Sequence, residues 1–333
     1  MRAVLMHNAG GPEVLTQEEV DTPQLQSPTE LLVRLKAAGI NPVDTKLRSR
    51  GTYYPDRLPT ILGCDGAGIV EAVGDRVSRF KPGDEIFFCN GGIGGHSGNY
   101  AEMAVVDEAF AARKPAEISF AEAGAAPLVL ITAWESVFDR AQLQSGQTAL
   151  IHAGAGGVGH VAIQLAKSVG AQVITTVGNQ SKAEFVRSLG ADMAVHYKQE
   201  DVVARVTAFT DGIGVDVGFD TVGGQTLDQT FEAVRIYGDV VTLLQPGPEA
   251  NWKTARLRNQ RISLELMLTP MHQSLYEAQK HQGWILAQCA KLMTEDKLKI
   301  HVSHQLPLAE AAEAHRLIEA GGMTGKVVLL RNL

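Results

Sequence analysis

The run Gly154-Ala155-Gly156-Gly157-Val158-Gly159 follows a strand-like segment, TALIHA, and opens a helix-like one, HVAIQLAKSVG. Glycine at the first, third and sixth positions of a strand-to-helix turn is the fingerprint of a dinucleotide site. Gly154 lets the strand turn sharply, Gly156 lets backbone approach a pyrophosphate, and Gly159 lets helix and strand pack closely. The helix start at Gly157 and Val158 offers free N–H groups and a partial positive charge to phosphates. A second glycine-rich stretch, GGIGGHSG, is a useful contrast: Gly92 and Gly94 fit, but Ser97 stands third and no helix follows, so it reads as a loop.

The segment ITTVGNQSK, residues 174–182, ends the second strand of this unit without a carboxylate. An acid there would accept hydrogen bonds from a ribose 2′-hydroxyl and repel a 2′-phosphate, which wants donors instead. Gly178, Ser181 and Lys182 supply room, a hydroxyl and a cation, so the expected cofactor is NADPH; the same residues could also simply start a helix. Tyr197, at the end of the third strand, could close over the adenosine side.

The elements that must hold these residues are legible in outline. From Met1 to about Asp107 the chain shows short strands punctuated by Gly and Pro, a β-rich, barrel-like texture. From about Thr148 strands alternate with helices, the pattern of a doubly wound parallel sheet. Six strands are expected, at 148–153, 172–177, 193–197, 215–222, 239–244 and 262–269. Helices at 281–293 and 308–319, an extended piece at 301–306 and a last strand, GKVVLL, form a tail too small to fold alone.

Composition narrows the functional classes. The 333 residues are 45% hydrophobic and 20% charged, enough for a sizeable core. The longest apolar stretch, AAPLVLITAW, is interrupted by Pro127 and is well short of the ~20 residues of a membrane span. No secretory pattern opens the chain, and cysteines at 64, 89 and 289 suit free thiols, so the cytoplasm is the expected compartment. A net charge of −7 without basic blocks argues against nucleic acid as a partner.

Taken together and in order, AAGINPVDTKLRSRG, GCDGAGIVEAVGDRVSRFKPGDEI, AGAGGVG, SLGADMAVHYKQED, VDVGFDTVGG and GKVVLL resemble the medium-chain dehydrogenase/reductase superfamily. Within it the likeness is to the zinc-free quinone oxidoreductase group that includes ζ-crystallin, and it covers nearly the whole chain. The resemblance implies an α/β protein: a GroES-like β-rich catalytic domain over 1–122, completed by 272–333, and a Rossmann NADPH-binding domain with a six-stranded parallel sheet over 123–271. It implies that Asn41 and Thr132 line the nicotinamide end of a cleft. Ser181, Lys182 and Tyr197 would meet the 2′-phosphate, and Lys326 would also face the cofactor. It further implies a homodimer paired through edge strands near 239–269. Related alcohol dehydrogenases hold a catalytic zinc through Cys, His and Cys; the corresponding places here are Asn41, Cys64 and Leu128. One thiol cannot supply the three protein ligands zinc wants, and the segment matching their four-cysteine structural site has Cys89 alone. No metal is expected.

Without a Lewis acid, oxidising an alcohol is hard, whereas an electrophilic acceptor can take hydride directly. The expected reaction is therefore NADPH-dependent reduction of a quinone. The alternatives are reduction of an α,β-unsaturated carbonyl (alkenal, enone or enoyl thioester) or a low-turnover NADPH-binding structural or sensor role. Tyr53 and Asn41 are candidate proton or hydrogen-bond donors to the product oxygen, with Tyr53 equally able to pack on a substrate ring. Asp44 and Lys46 are expected to form a structural ion pair. The segment 268–284, with Met271, Leu275, Tyr276 and Trp284, is expected at the substrate pocket or the dimer contact.

Overall fold

In the computed structural model, which describes residues 1–331, the chain divides into two compact units. One is Met1–Ile131 together with the chain from Leu268 on; the other is Thr132–Met267.

The second unit carries six parallel strands in the spatial order Met193–His196, Gln172–Val177, Thr148–Ile151, Val215–Asp220, Val234–Thr242, Arg261–Leu264. Numbered along the chain this is the 3-2-1-4-5-6 order of a dinucleotide fold, whose switch point lies beside the first strand. The strands are apolar runs because helices cover both faces: Leu150, Ile174, Val195, Val215 and Val240 are all buried, with Phe231 and Leu227 of the helix Gln225–Ala233 packed on them. The second strand has the bounds read from the sequence, the first, third and fourth end at Ile151, His196 and Asp220 instead of 153, 197 and 222, and the last two differ most. The fifth begins at Val234 instead of 239, because a register shift between Val215 and Val217 lets it join its neighbour early. The sixth stops at Leu264 instead of 269; Glu265 turns in to pair with Arg140, and Pro270 starts the short helix Thr269–His272.

The first unit is built on the strand Glu30–Ile40, whose alternation buries Leu31, Val33 and Leu35. It pairs antiparallel with Asp65–Val73, Met103–Asp107 and Lys326–Leu330. The sheet continues through Glu85–Cys89 to Ala111–Arg113 on one side and to Val302–Pro307 on the other. The helix Phe120–Ala125 packs on Glu30–Ile40, so closely that a Cβ on Gly124 would lie 2.6 Å from the Ala37 Cβ. That contact keeps 123–131 with the first unit, where the sequence reading started the second domain.

Register places the polar residues of this unit. The helix Pro42–Arg50 follows Ile40 with Asn41 as its N-cap, and Ile40 is opposite Val327, so Lys326 arrives next to Asn41. Ala37 opposite Ala67 brings Asp65 to the same corner. Among the described residues, no helix is long and apolar enough to cross a membrane.

Candidate functional site

In the second unit the glycine turn closes as a tight strand-to-helix junction. Gly156 is the N-cap of the helix Gly157–Ser168 and has no side chain to satisfy the first-turn amides, leaving Gly157 and Val158 N–H groups open to an anion. A Cβ on Gly156 would meet only the Ala153 oxygen within 4 Å, at a tight 3.1 Å, so no other protein atom packs over it. The left-handed residue of the turn is Ala153, at φ 51°, and not Gly154. Gly154 is needed for proximity: a Cβ there would lie 2.0 Å from Thr175 Oγ1. Gly159 has the same reason, with the Ala153 oxygen 2.4 Å from its would-be Cβ.

At the end of the second strand, Gly178 lies under Tyr197, whose hydroxyl would be 3.5 Å from a Cβ at Gly178. Tyr197 is 53% exposed. The helix Gln180–Ser188 is capped by Asn179, whose Oδ1 accepts from the Lys182 amide at 3.0 Å and from Ser181 Oγ at 2.9 Å. Capping therefore falls to Asn179, and the Ser181 hydroxyl and Lys182 ammonium remain at the surface of the turn. These residues fit a phosphorylated dinucleotide: an open glycine cradle at a helix N-terminus, and donors with no acid where the ribose would lie. His152, beneath the turn, is pushed down to about 4 by burial and is neutral, bonded to Thr230 and Thr176 hydroxyls. It props the sheet and carries no charge toward a ligand.

In the first unit Asn41 and Lys326 are joined. Lys326 Nζ donates to Asn41 Oδ1 and, at 3.0 Å, to the Ile40 oxygen. Asn41 Nδ2 donates to Asp65 Oδ2 at 2.8 Å, and Lys326 Nζ is 3.7 Å from that oxygen. Asp65 Oδ1 accepts from the Leu128 amide at 2.7 Å. Burial pushes Asp65 up and Lys326 down from their ordinary values, each opposed by the other's charge. The amide of Asn41 is thus held from both ends, oriented and immobile. Thr132 is buried in the helix Pro127–Trp134 of which it is the sixth residue.

Asp44 does not pair with Lys46. It turns inward, fully buried, and accepts from the Asn41 amide at 2.8 Å and from the Tyr100 hydroxyl at 3.0 Å. Tyr100 is also 3.2 Å from His315 Nε2. Burial pushes Asp44 up to about 7 and His315 down to about 3, the latter aided by Arg48. Asp44, Asp65, Tyr100 and His315 had no signal in the sequence, since a buried carboxylate and a surface one look alike until register brings them together. Tyr53 belongs to a separate aromatic group: it is 38% exposed with its ring 4.5 Å from that of His272.

The positions that match zinc ligands in related dehydrogenases are otherwise engaged. Asn41 is bonded as above, Leu128 offers no donor side chain, and the Cys64 thiol is buried against Cys89 and pushed well above its ordinary value. Among the described residues no group of three or more His, Cys, Asp or Glu could hold a metal ion.

Comparison with known proteins agrees with this architecture. The alcohol dehydrogenase GroES-like domain matches residues 27–116, and a zinc-binding dehydrogenase domain matches 189–329. A quinone oxidoreductase of Pseudomonas aeruginosa is 35% identical over 321 residues, 96% of this chain and 97% of that protein. An alcohol dehydrogenase superfamily protein of Novosphingobium aromaticivorans superposes with a TM-score of 0.91 at 35% identity, covering 99% of each chain. The Escherichia coli quinone oxidoreductase complexed with NADPH superposes at 0.86 with 30% identity, covering 99% of this chain and 100% of that one.

Proposed function

Because this chain belongs to the quinone oxidoreductase group of the medium-chain dehydrogenase/reductase superfamily and is a nicotinamide-dependent oxidoreductase, we propose that it reduces quinones with NADPH and without a metal. The observation that carries the cofactor choice is the turn at 178–182, where Asn179 takes the capping role, accepting from the Lys182 amide and the Ser181 hydroxyl, and the Lys182 ammonium stands in the same turn as Gly178, under Tyr197, with no acid in that turn. The bound cofactor supplies a hydride. The protein's part is to orient: Gly156, Gly157 and Val158 hold the pyrophosphate, Ser181, Lys182 and Tyr197 the 2′-phosphate, and the fixed Asn41 amide, with Thr132 and Lys326, the nicotinamide end. Hydride then reaches an acceptor that needs no Lewis acid, and Tyr53 packs on or hydrogen-bonds to it. Free, buried thiols suit a reducing compartment such as the cytoplasm. The edge strand Arg261–Leu264, with Leu264 60% and Leu266 52% exposed, supports pairing with a second copy.

The test is to follow loss of NADPH absorbance against ortho- and para-quinones, alkenals and an enoyl thioester. Turnover is expected with quinones above the others. Faster turnover of alkenals or enoyl thioesters replaces the quinone, and tight NADPH binding with no turnover points to the structural role.

A further inference from the structure

Asp65, the first residue of the strand Asp65–Val73, is fully buried and meets every group assigned above to the nicotinamide end. Its Oδ2 accepts from Asn41 Nδ2 at 2.8 Å and lies 3.7 Å from Lys326 Nζ. Its Oδ1 accepts at 2.7 Å from the amide of Leu128, the second residue of the helix Pro127–Trp134 that includes Thr132. Glycine makes room for this: a Cβ on Gly39 would lie 2.9 Å from Asp65 Oδ2 and 2.6 Å from the Gly124 oxygen. A side chain at 39 would push the carboxylate off its partners.

A carboxylate only accepts hydrogen bonds and an ammonium only donates them. Standing on either side of Asn41, the two dictate which end of its carboxamide is oxygen and which is nitrogen. Oδ1 takes a Lys326 hydrogen, and Nδ2 gives one of its own to Asp65. Two N–H donors and the nearby ammonium favour the ionised carboxylate, against the burial that opposes it. The second Nδ2 hydrogen of Asn41 has no acceptor among the described residues. That hydrogen is what Asn41 has to offer a ligand. We propose that Asp65 is a positioning residue: it sets the Asn41 carboxamide so that its free N–H meets the carboxamide oxygen of the nicotinamide, and ties that amide to the start of the helix carrying Thr132. The inference rests on the functional reading above and deepens it by naming the group that keeps the nicotinamide end in register. Asp65 itself touches neither cofactor nor acceptor, and no proton or electron passes through it. It acts by geometry, which counts because a small misplacement of the reacting ring costs rate.

An amide at 65 has the shape of the carboxylate and cannot replace it. Its oxygen can serve Leu128 or Asn41, its NH2 then opposes the other N–H, and Lys326 loses its counter-charge. The experiment compares wild type, Asp65→Asn, and the reciprocal swap that combines Asn41→Asp with Asp65→Asn. In the swap a carboxylate at 41 accepts from Lys326 and from the amide at 65, whose oxygen accepts from Leu128. Every bond and the charge pair return, and only the free hydrogen at 41 is gone. Asp65→Ser, which opposes no donor, stands in should Asp65→Asn not fold. The readouts are Tm, kcat for a para-quinone, and calorimetric Kd for NADPH and for adenosine 2′,5′-bisphosphate, which has no nicotinamide. Asp65→Asn is expected to lower Tm, to lose roughly 10- to 100-fold in kcat and about 3- to 10-fold in NADPH affinity, and to leave bisphosphate affinity unchanged. The swap should recover Tm but neither kcat nor NADPH affinity. A single variant with wild-type kcat and an unchanged ratio of the two affinities, or a swap that regains kcat together with Tm, overturns the positioning role of Asp65. A wild type that binds NADPH without reducing quinones overturns the quinone reading alone, since the two affinities still decide on Asp65. One that binds neither ligand overturns the dinucleotide reading, and this inference with it.

Discussion

The proposed choice of NADPH rests on single side chains, as does the way the first unit answers to pH. Lys182 carries the cation beside Gly178, so Lys182→Glu should weaken NADPH binding by roughly 10- to 100-fold, the worth of a charge-assisted hydrogen bond, and leave NADH binding nearly unchanged. Calorimetric titration with each nucleotide checks this. Asp44 gives a second prediction. Burial pushes it up from the ordinary carboxylate range to about 7, so its neutral form is favoured in the fold. The stability this contributes is full below pH ~4 and is lost as pH rises through about 7. Asp65, Tyr100, Lys326 and Cys64 face the same corner, and His152 and His315, both lowered, drift the opposite way, gaining stability as pH rises toward 6.5. The difference between wild type and Asp44→Asn isolates the carboxyl: urea unfolding from pH 4 to 8 should show wild type losing stability relative to the variant as pH rises. A constant difference across that range would contradict the burial of Asp44.

Elements, in turn, exist here because particular atoms are missing. The first strand, turn and helix of the parallel sheet pack only if residue 154 has no side chain, since Thr175 Oγ1 fills that place while donating to the Ile151 oxygen at 2.6 Å. Gly154→Val should destabilise the protein by about 1–3 kcal/mol, the usual cost of overpacking, and abolish dinucleotide binding together with it. Thermal unfolding with and without NADPH measures both. The glycine spacing was legible in the sequence because backbone proximity leaves a residue-type signature. Strand-and-helix alternation was legible too, because a sheet buried on both faces demands apolar runs. Strand ends were less so: the early start at Val234 depends on a register shift in its neighbour, and the break after Leu264 on where Glu265 finds Arg140. The Asp44, Tyr100 and His315 chain and the pairing of Tyr53 with His272 were not readable at all. Their members are separated by up to 271 positions between Asp44 and His315, and nothing local marks a residue that folding will bury.

At the scale of the molecule, two units of different texture serve one reaction class, one built around an antiparallel sheet and one around a parallel sheet. The parallel sheet ends in an edge strand that carries exposed Leu264. On the proposed pairing through this strand, wild type should sediment as a dimer and Leu264→Lys as a folded monomer, because a charge on an edge strand opposes strand addition. The account as a whole depends on a cofactor turn that welcomes a 2′-phosphate. The measurement closest to that claim is a pair of calorimetric titrations of the wild-type protein, with NADPH and with NADH, under the same salt. The account predicts NADPH binding tighter by at least about 10-fold, as one charge-assisted contact supplies. Equal affinities, or tighter binding of NADH, would contradict it.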